Sequence, residues 1–333
     1  MTDNIKFDLQ LFAGNTNVTT DTGLTDEMRT FYSKYLIDHA EPKLVHDQFA
    51  QKLPIPKNGG KIVEFRKYDP LLKALTPLTE GVTPDGQKLN TSVVTSEVMQ
   101  YGGFIELSDM LEMTAIDNNV AQATKLLGGQ AGRTLDTITR EVLNGGTNVQ
   151  YAEGQVASRS ALVGGAASGN HYLTVDAIRR AVRFLKTMNA DVVDTSYVGI
   201  IHPDVSYDLM NDPKWVNVKT YSDPDGIYEG EIGKIENVRF VETSEAKIFP
   251  EAGADDRDVY STLIIGANAY GVTEIEGGGL THIIKQLGSA GTADPLNQRS
   301  STGWKASKTA ERLCEQYMVR IETTSTFSDG TGN

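Results

Sequence analysis

Lys61-Ile-Val-Glu-Phe-Arg-Lys-Tyr68 and Val93-Val-Thr-Ser-Glu-Val-Met-Gln-Tyr-Gly-Gly-Phe-Ile-Glu-Leu107 decide how this chain is read. Both stretches are rich in β-branched and aromatic residues, the composition of strands. Between them, residues 70–90 hold Pro77, many threonines and Pro84-Asp85-Gly86. In that tripeptide proline fixes φ and glycine accepts positive φ, which is turn chemistry. The spacing therefore predicts a long two-stranded arm over 61–107. Neither strand has a clean polar face: Val63 and Phe65 point one way and Ile62 the other, while Val93 and Val94 occupy both. A lone two-stranded ribbon is marginal in water, and a connection this long in a compact domain is usually functional. The arm is expected to need cover from outside itself.

Working outward, residues 1–25 read as a polar extended arm with one apolar spot, Phe7-Asp8-Leu9-Gln10-Leu11-Phe12. Residues 25–51 carry Met28, Phe31, Tyr32, Tyr35 and Leu36 at helical spacing and predict a helix broken or restarted at Pro42. After the arm comes the clearest helix, 117–144. Val120, Ala123, Leu127, Ala131, Leu135, Ile138 and Val142 step by three or four, Asp117 or Asn118 can cap the start, and Asn144-Gly145-Gly146 stops it. Gly128, Gly129 and Gly132 inside it permit close packing or a bend. A second helix is expected from about Thr174 to Met188, a buried strand at 197–201, and a helix opened by Pro203 at its first position. Further strands are expected at 236–242, 261–266 and 281–286. Residues 304–324 fit both periods: Ala310, Leu313, Tyr317 and Ile321 suit a helix, and 317–323 suits a strand.

The chain has 333 residues with 31 Lys plus Arg against 44 Asp plus Glu, a formal net charge of −13. A tight nucleic-acid binder carries a basic stripe to replace counterions. Here the nearest candidate, Arg179, Arg180, Arg183 and Lys186, reads as a solvated helix face. No apolar run approaches the ~20 residues of a membrane span, and the start does not read as a signal peptide. The single Cys314 excludes an internal disulfide.

Catalytic patterns are missing. None of His39, His46, His171, His202 and His282 falls in a metal-binding spacing. Gly288-Ser289-Ala290-Gly291 lacks the first glycine of a nucleophile elbow. Gly128-Gly129-Gln130-Ala131-Gly132 lies inside a helix rather than between a strand and a helix, so it is no dinucleotide fingerprint. Asp255, Asp256 and Asp258 read as a solvated acidic loop. The pattern calls for no catalytic residue, cofactor or metal. The unusual features are geometric, each exposing surface that a second copy of the chain would cover.

Three blocks resemble a known family. They are 61–71 with Leu78-Thr-Glu-Gly-Val-Thr-Pro-Asp-Gly86 and Gln100-Tyr-Gly-Gly-Phe-Ile-Glu-Leu-Ser-Asp109; Tyr197-Val-Gly-Ile-Ile-His-Pro-Asp-Val-Ser-Tyr-Asp-Leu209 with Gly230-Glu-Ile-Gly-Lys-Ile-Glu-Asn-Val-Arg-Phe240; and Asp294-Pro-Leu-Asn-Gln-Arg-Ser-Ser-Thr-Gly-Trp-Lys305. Together they resemble the major capsid proteins of tailed double-stranded DNA bacteriophages, within them the coliphage N-four-like group. The resemblance implies an α+β chain of the Hong Kong 97-type capsid fold. It implies an N-terminal arm (1–55), an extended β-hairpin loop (56–108), a peripheral domain with a spine helix (109–169), an axial domain (170–275) and a return to the peripheral domain (276–333). It favours strand for 304–324. It implies hexamers and pentamers closing an icosahedral shell around DNA that is not bound sequence-specifically. A separate scaffold protein and a portal are expected partners, with a decoration protein as a further one; no membrane is involved. Assembly in the bacterial host cytoplasm is expected, with the virion capsid as destination. Phe7, Leu9, Leu11, Phe12, Arg66, Lys67, Glu80 and Asp85 are the candidate intersubunit contacts. The alternatives are an encapsulin-like nanocompartment shell and a hydrolase with an unrecognised site.

Overall fold

The computed structural model describes residues 44–54, 61–68, 71–78, 80–83, 85–114, 119–152, 156–164, 171–215, 233–273, 280–289 and 294–327. Phe7, Leu9, Leu11, Phe12, most of the 25–51 segment and the caps Asp117 and Asn118 lie outside them. In chain order the elements are β1 (Gln51–Leu53), β2 (Ile62–Tyr68), β3 (Thr91–Glu97), β4 (Met99–Ser108), α1 (Asp109–Thr114), α2 (Asn119–Asn144) and β5 (Val149–Tyr151). There follow α3 (Val175–Thr187), β6 (Tyr197–Ile201), α4 (Pro203–Met210), β7 (Lys234–Ile235), β8 (Val238–Glu242), β9 (Ile248–Phe249) and β10 (Val259–Ile265). The last are β11 (Tyr270–Thr273), β12 (Leu280–Lys285), β13 (Arg299–Lys308), β14 (Ala310–Arg312) and β15 (Met318–Thr323).

The largest sheet runs β5-β15-β10-β6-β8-β7, with β9 also paired to β10. β6 and β10 are buried along their whole length. β6 is a continuous apolar run and β10 buries even Ser261 and Thr262, because the sheet is covered on two sides. On one side Ile178, Ala181 and Leu185 of α3 and Val205 and Leu209 of α4 meet Tyr197, Ile201, Ile264 and Ile321. On the other, Leu143, Tyr270 and Val272 meet Val198, Ile200, Leu263 and Ile265. Thr174 caps α3, its hydroxyl accepting from the Ala177 N–H, and Pro203 stands in the first turn of α4 as the sequence predicts.

α2 spans 26 residues, so it is about 39 Å long at 1.5 Å per residue. Its Ala123, Leu127, Ala131 and Leu135 are buried, with Leu127, Ala131 and Leu135 against Trp304, Ala306 and Leu280. Buried Gly128 and Gly132 lie on the same face, which favours the packing role for these glycines. The helix end is satisfied from outside. Arg312 Nη1 donates to the Val142 carbonyl at 2.8 Å, and Arg320 donates to the Asn144 carbonyl. Cations at a helix C-terminus also complement its dipole.

Two expectations change and one open reading closes. Residues 44–50 form turns rather than helix and lead into β1, parallel to β11. His46 and Asp47 bond across to α2, which fixes the segment by tertiary contacts that local propensity does not contain. The stretch 93–107 is two strands, not one. The break falls at Val98, whose N–H donates to the Lys61 carbonyl at 2.7 Å. β3 pairs with β2, whereas β4 joins β13 and β12 in a separate three-stranded sheet. Finally, 304–324 is strand, as the resemblance implied, with a 3₁₀ turn at Glu315–Tyr317. Ladders to β4 and β10 win over the helical spacing there.

Candidate assembly surface

The arm root is the antiparallel pair β2–β3, in register from Ile62 opposite Glu97 to Tyr68 opposite Thr91. Val63 and Phe65 point inward and are buried, Phe65 being 1% exposed. Phe65 lies against Gly271 of β11, and Ser96 Oγ meets Thr309 Oγ1 at 2.6 Å. The inner face of the root is thus covered by the chain's own body, correcting the expectation of outside cover for this part. Ile62 and Val93 on the other face remain exposed.

Beyond the root the cover ends. Among the described residues of 71–90 there is no strand, and Leu71, Leu72, Leu75 and Leu78 are exposed, Leu72 and Leu75 by 83% and 82%. One side-chain bond stitches the two limbs, Gln87 Nε2 to the Leu72 carbonyl at 3.0 Å. Gly81 turns the tip at φ +80°, the left-handed region in which glycine is unstrained.

The charged candidates fall apart from one another. Arg66 lies 3.6 Å from Glu64 on its own strand, both exposed. Glu80 and Asp85 stand exposed in the tip. Lys67 is placed opposite Ser92 in the ladder.

Sequence reasoning missed two buried ionic clusters. In the first, Asp136 of α2 accepts from the His46 backbone N–H at 2.8 Å and lies 2.7 Å from His46 Nδ1. Asp47 accepts from Thr139 Oγ1 at 2.6 Å and from Lys308 Nζ, which also donates to the Leu135 carbonyl at 2.9 Å. Tyr270 donates its hydroxyl to the His46 carbonyl. Burial pushes the Lys308 ammonium down and Asp47 and Asp136 resist it; burial also drives the Tyr270 phenol well above its ordinary range. This cluster joins the 44–50 turns to α2, β11 and β13. In the second, fully buried Glu322 takes a bidentate grip from Arg159, both bonds at 2.7 Å, and lies 2.8 Å from Arg320 Nε. The Arg159 guanidinium sits 3.5 Å over the Phe249 ring. The Glu322 hydrogen bond raises the Arg159 guanidinium above its ordinary range. The signal for the first cluster is Asp136, Thr139 and Arg140 continuing the buried stripe of α2 with polar residues.

In both clusters the buried acids are matched by donors of the same chain. Among the described residues no group of three or more His, Cys, Asp or Glu could hold a metal. Three other described histidines hydrogen-bond within the fold. His202 Nδ1 accepts from the Asp204 N–H at 3.2 Å, His171 Nδ1 accepts from the Val163 N–H at 2.7 Å, and His282 Nε2 meets Thr302 Oγ1 at 2.8 Å.

A second open surface is the outer face of the β12-β13-β4 sheet. Phe104, Gly303 and Ile283 lie in one row across it, flanked by the rows Glu106–Ser301–Lys285 and Gly102–Lys305–Thr281. Phe104 is 70% exposed. A groove of about 340 Å³ runs over Gly102, Gly303 and Lys305 beside Phe104.

The profile of the family described as phage capsid protein matches residues 106–279 of this sequence, more than half of the chain. The chain belongs to the phage capsid protein family. The fold agrees with that of solved capsids. The cyanophage Pam1 capsid chain superposes with a TM-score of 0.66 at 12% identity, covering 87% of this chain and 93% of that one. The capsid of Ralstonia phage GP4 gives 0.61 at 14% identity over 86% and 87%. The capsid of cyanophage P-SCSP1u gives 0.61 at 12% over 82% and 86%. No curated protein sequence matches. This capsid protein is therefore an α+β chain of the Hong Kong 97 type, a structural major capsid protein of a tailed phage. Many copies assemble into an icosahedral shell, and the virion capsid is its place. Neither the nanocompartment nor the hydrolase alternative is favoured by the match.

Proposed function

We propose that this capsid protein closes its shell as hexamers and pentamers around double-stranded DNA, each copy reaching across a neighbour with the arm built on β2 and β3. The observation that carries the reading is the contrast within the arm. Its root is clamped by Phe65 and Ser96, while the leucines at 71, 72, 75 and 78 stand in solvent. A rigidly rooted apolar tip is a contact waiting for a partner, and identical copies supply one by symmetry.

In this reading 1–55 is the N-terminal arm, with Phe7, Leu9, Leu11 and Phe12 as a second strap, and 56–108 the extended loop. Residues 109–169 form the peripheral domain around α2, 170–275 the axial domain, and 276–333 the return. The long α2 packed on β13 supports the peripheral assignment, and the sheet centred on β6, β8 and β10 supports the axial one. Arg66, Lys67, Glu80 and Asp85 contact neighbours. The role is structural and without catalysis. Assembly proceeds in the host cytoplasm with a separate scaffold protein and a portal, and a decoration protein can bind the finished shell. With a net charge of −13 the chain contains its DNA without gripping it. Electron microscopy of particles from infected cells tests this: closed shells with arm density crossing a subunit boundary are expected, and an arm folded onto its own subunit would refute the reading.

A further inference from the structure

Two segments that the proposed function turns toward neighbouring copies are rooted side by side. One is 44–53, the turns and β1 that follow the N-terminal strap. The other is the arm root, β2 and β3. Each segment is held at two points, and both points are shared. On β11, Tyr270 donates its hydroxyl to the His46 carbonyl. The next residue, Gly271, pairs with Gln51 of β1 and seats the Phe65 ring of β2. Consecutive side-chain positions of a strand point to opposite faces, so this one strand grips a segment on each side. At the end of β13 the arrangement repeats. Lys308 Nζ donates to Asp47, and the next residue, Thr309, meets Ser96 of β3 at 2.6 Å between hydroxyls. The two points are joined to each other. The Thr273 N–H donates to the Thr309 carbonyl at 3.1 Å, and the Thr309 N–H donates to Thr273 Oγ1 at 3.0 Å.

We propose that β11 and Lys308-Thr309 form a latch that makes the holds on these two segments one cooperative unit, so that a subunit keeps both or frees both. The inference rests on the strap reading for its use in the shell, and adds that the two straps of one copy respond together. Chain connectivity alone could tie β1 to β2, which follows it closely. β3 is different. It lies far along the chain from β1, and 44–53 reaches it through β11, Thr273 and Thr309. The response of β3 is therefore the mark of the latch. Segments that open together by such shared contacts behave as one local unfolding unit, separate from the rest of the fold. A neighbour that seats one strap then restrains the root of the other without touching it. The coupling is reciprocal by thermodynamic necessity: whatever 44–53 does to the arm root, the arm root does to 44–53.

The test is amide hydrogen exchange of the full-length soluble subunit, read by mass spectrometry of its peptides. Thr139→Val removes the hydroxyl that donates to Asp47, and Asp136→Ala removes the acceptor of the His46 N–H. Both loosen 44–50 from the side of α2 and change no residue of β2, β3 or β11. Each is expected to speed exchange in 44–53 and, by a similar factor, in β2 and β3, about fivefold or more. α3 and β6 are expected to keep wild-type rates. In the other direction, Phe65→Leu and Ser96→Ala loosen the arm root alone and are expected to speed exchange in 44–53. Acceleration confined to 44–53 in the α2 variants, with β3 unchanged, would overturn the latch. Equal acceleration in α3 and β6 would mean that the whole subunit opens rather than a local unit, and would overturn it as well. The measurement is made on the free subunit, so either result leaves the strap reading standing. That reading falls on a separate observation, an arm folded onto its own subunit in closed particles.

Discussion

Phe65 of β2 lies against Gly271 of β11 so closely that a Cβ on residue 271 would overlap the ring. The pair fixes where the arm leaves the body, since Phe65 is the largest side chain buried at the root. Gly271→Val is expected to push the ring out, costing about 1–3 kcal/mol of overpacking. Phe65→Ala should cost about 3–5 kcal/mol through the cavity it opens. Urea denaturation of the soluble subunit checks both, and a loss below half a kcal/mol for both would show that the root is not clamped here.

Deleting residues 75–90 separates folding from assembly. That segment contains most of the exposed arm tip and lies outside every strand among the described residues. The deletion removes exposed leucines rather than core, so melting temperature and circular dichroism of the subunit are expected to stay close to wild type. Particle yield on a sucrose gradient is expected to collapse. Closed shells of normal yield from the deleted chain would refute a bridging arm.

What the sequence disclosed was periodic. α2, α3 and β6 are legible because one stripe or one continuous apolar run sets each of them. The break at Val98 was illegible, because β3 and β4 are equally strand-like and only their partners differ: β2 for one, β13 for the other. The turns at 44–50 were misread because His46 and Asp47 find their partners some 90 residues away. Ile62 shows why composition alone could not tell open from covered. It is as apolar as Val63, yet the first is exposed and the second buried by β-strand alternation against a body the sequence does not reveal.

Lys308 tests the buried cluster. The ammonium is buried with Asp47, and removing one member of a buried ion pair strands the other charge. Lys308→Met is expected to destabilise the subunit by about 3–5 kcal/mol. Replacing both partners, Lys308→Met with Asp47→Leu, should recover a large part of that loss, since an apolar pair needs no counter-charge. A double variant no more stable than the single one would show that packing of the lysine stem, not the charge pair, holds the 44–50 turns to α2.

Acid should loosen the fold through two histidines. Burial pushes His282 below its ordinary pKa of 6.5, and it pushes His202 down too, with Asp204 and Glu242 partly opposing it. In both cases the folded chain holds the ring neutral more strongly than the unfolded chain does. Between the folded and unfolded pKa values the unfolded state therefore binds more protons. Stability from these groups is complete above about pH 6.5 and is lost as the pH falls below it. His282→Gln keeps an acceptor or donor for the Thr302 hydroxyl, and His202→Asn keeps a capping side chain at the start of α4. The double variant is expected to lose less stability than wild type between pH 7.5 and 5.5, measured as the shift of the urea midpoint at each pH. Equal shifts for the two chains would mean that groups other than these two histidines carry the acid sensitivity in that window.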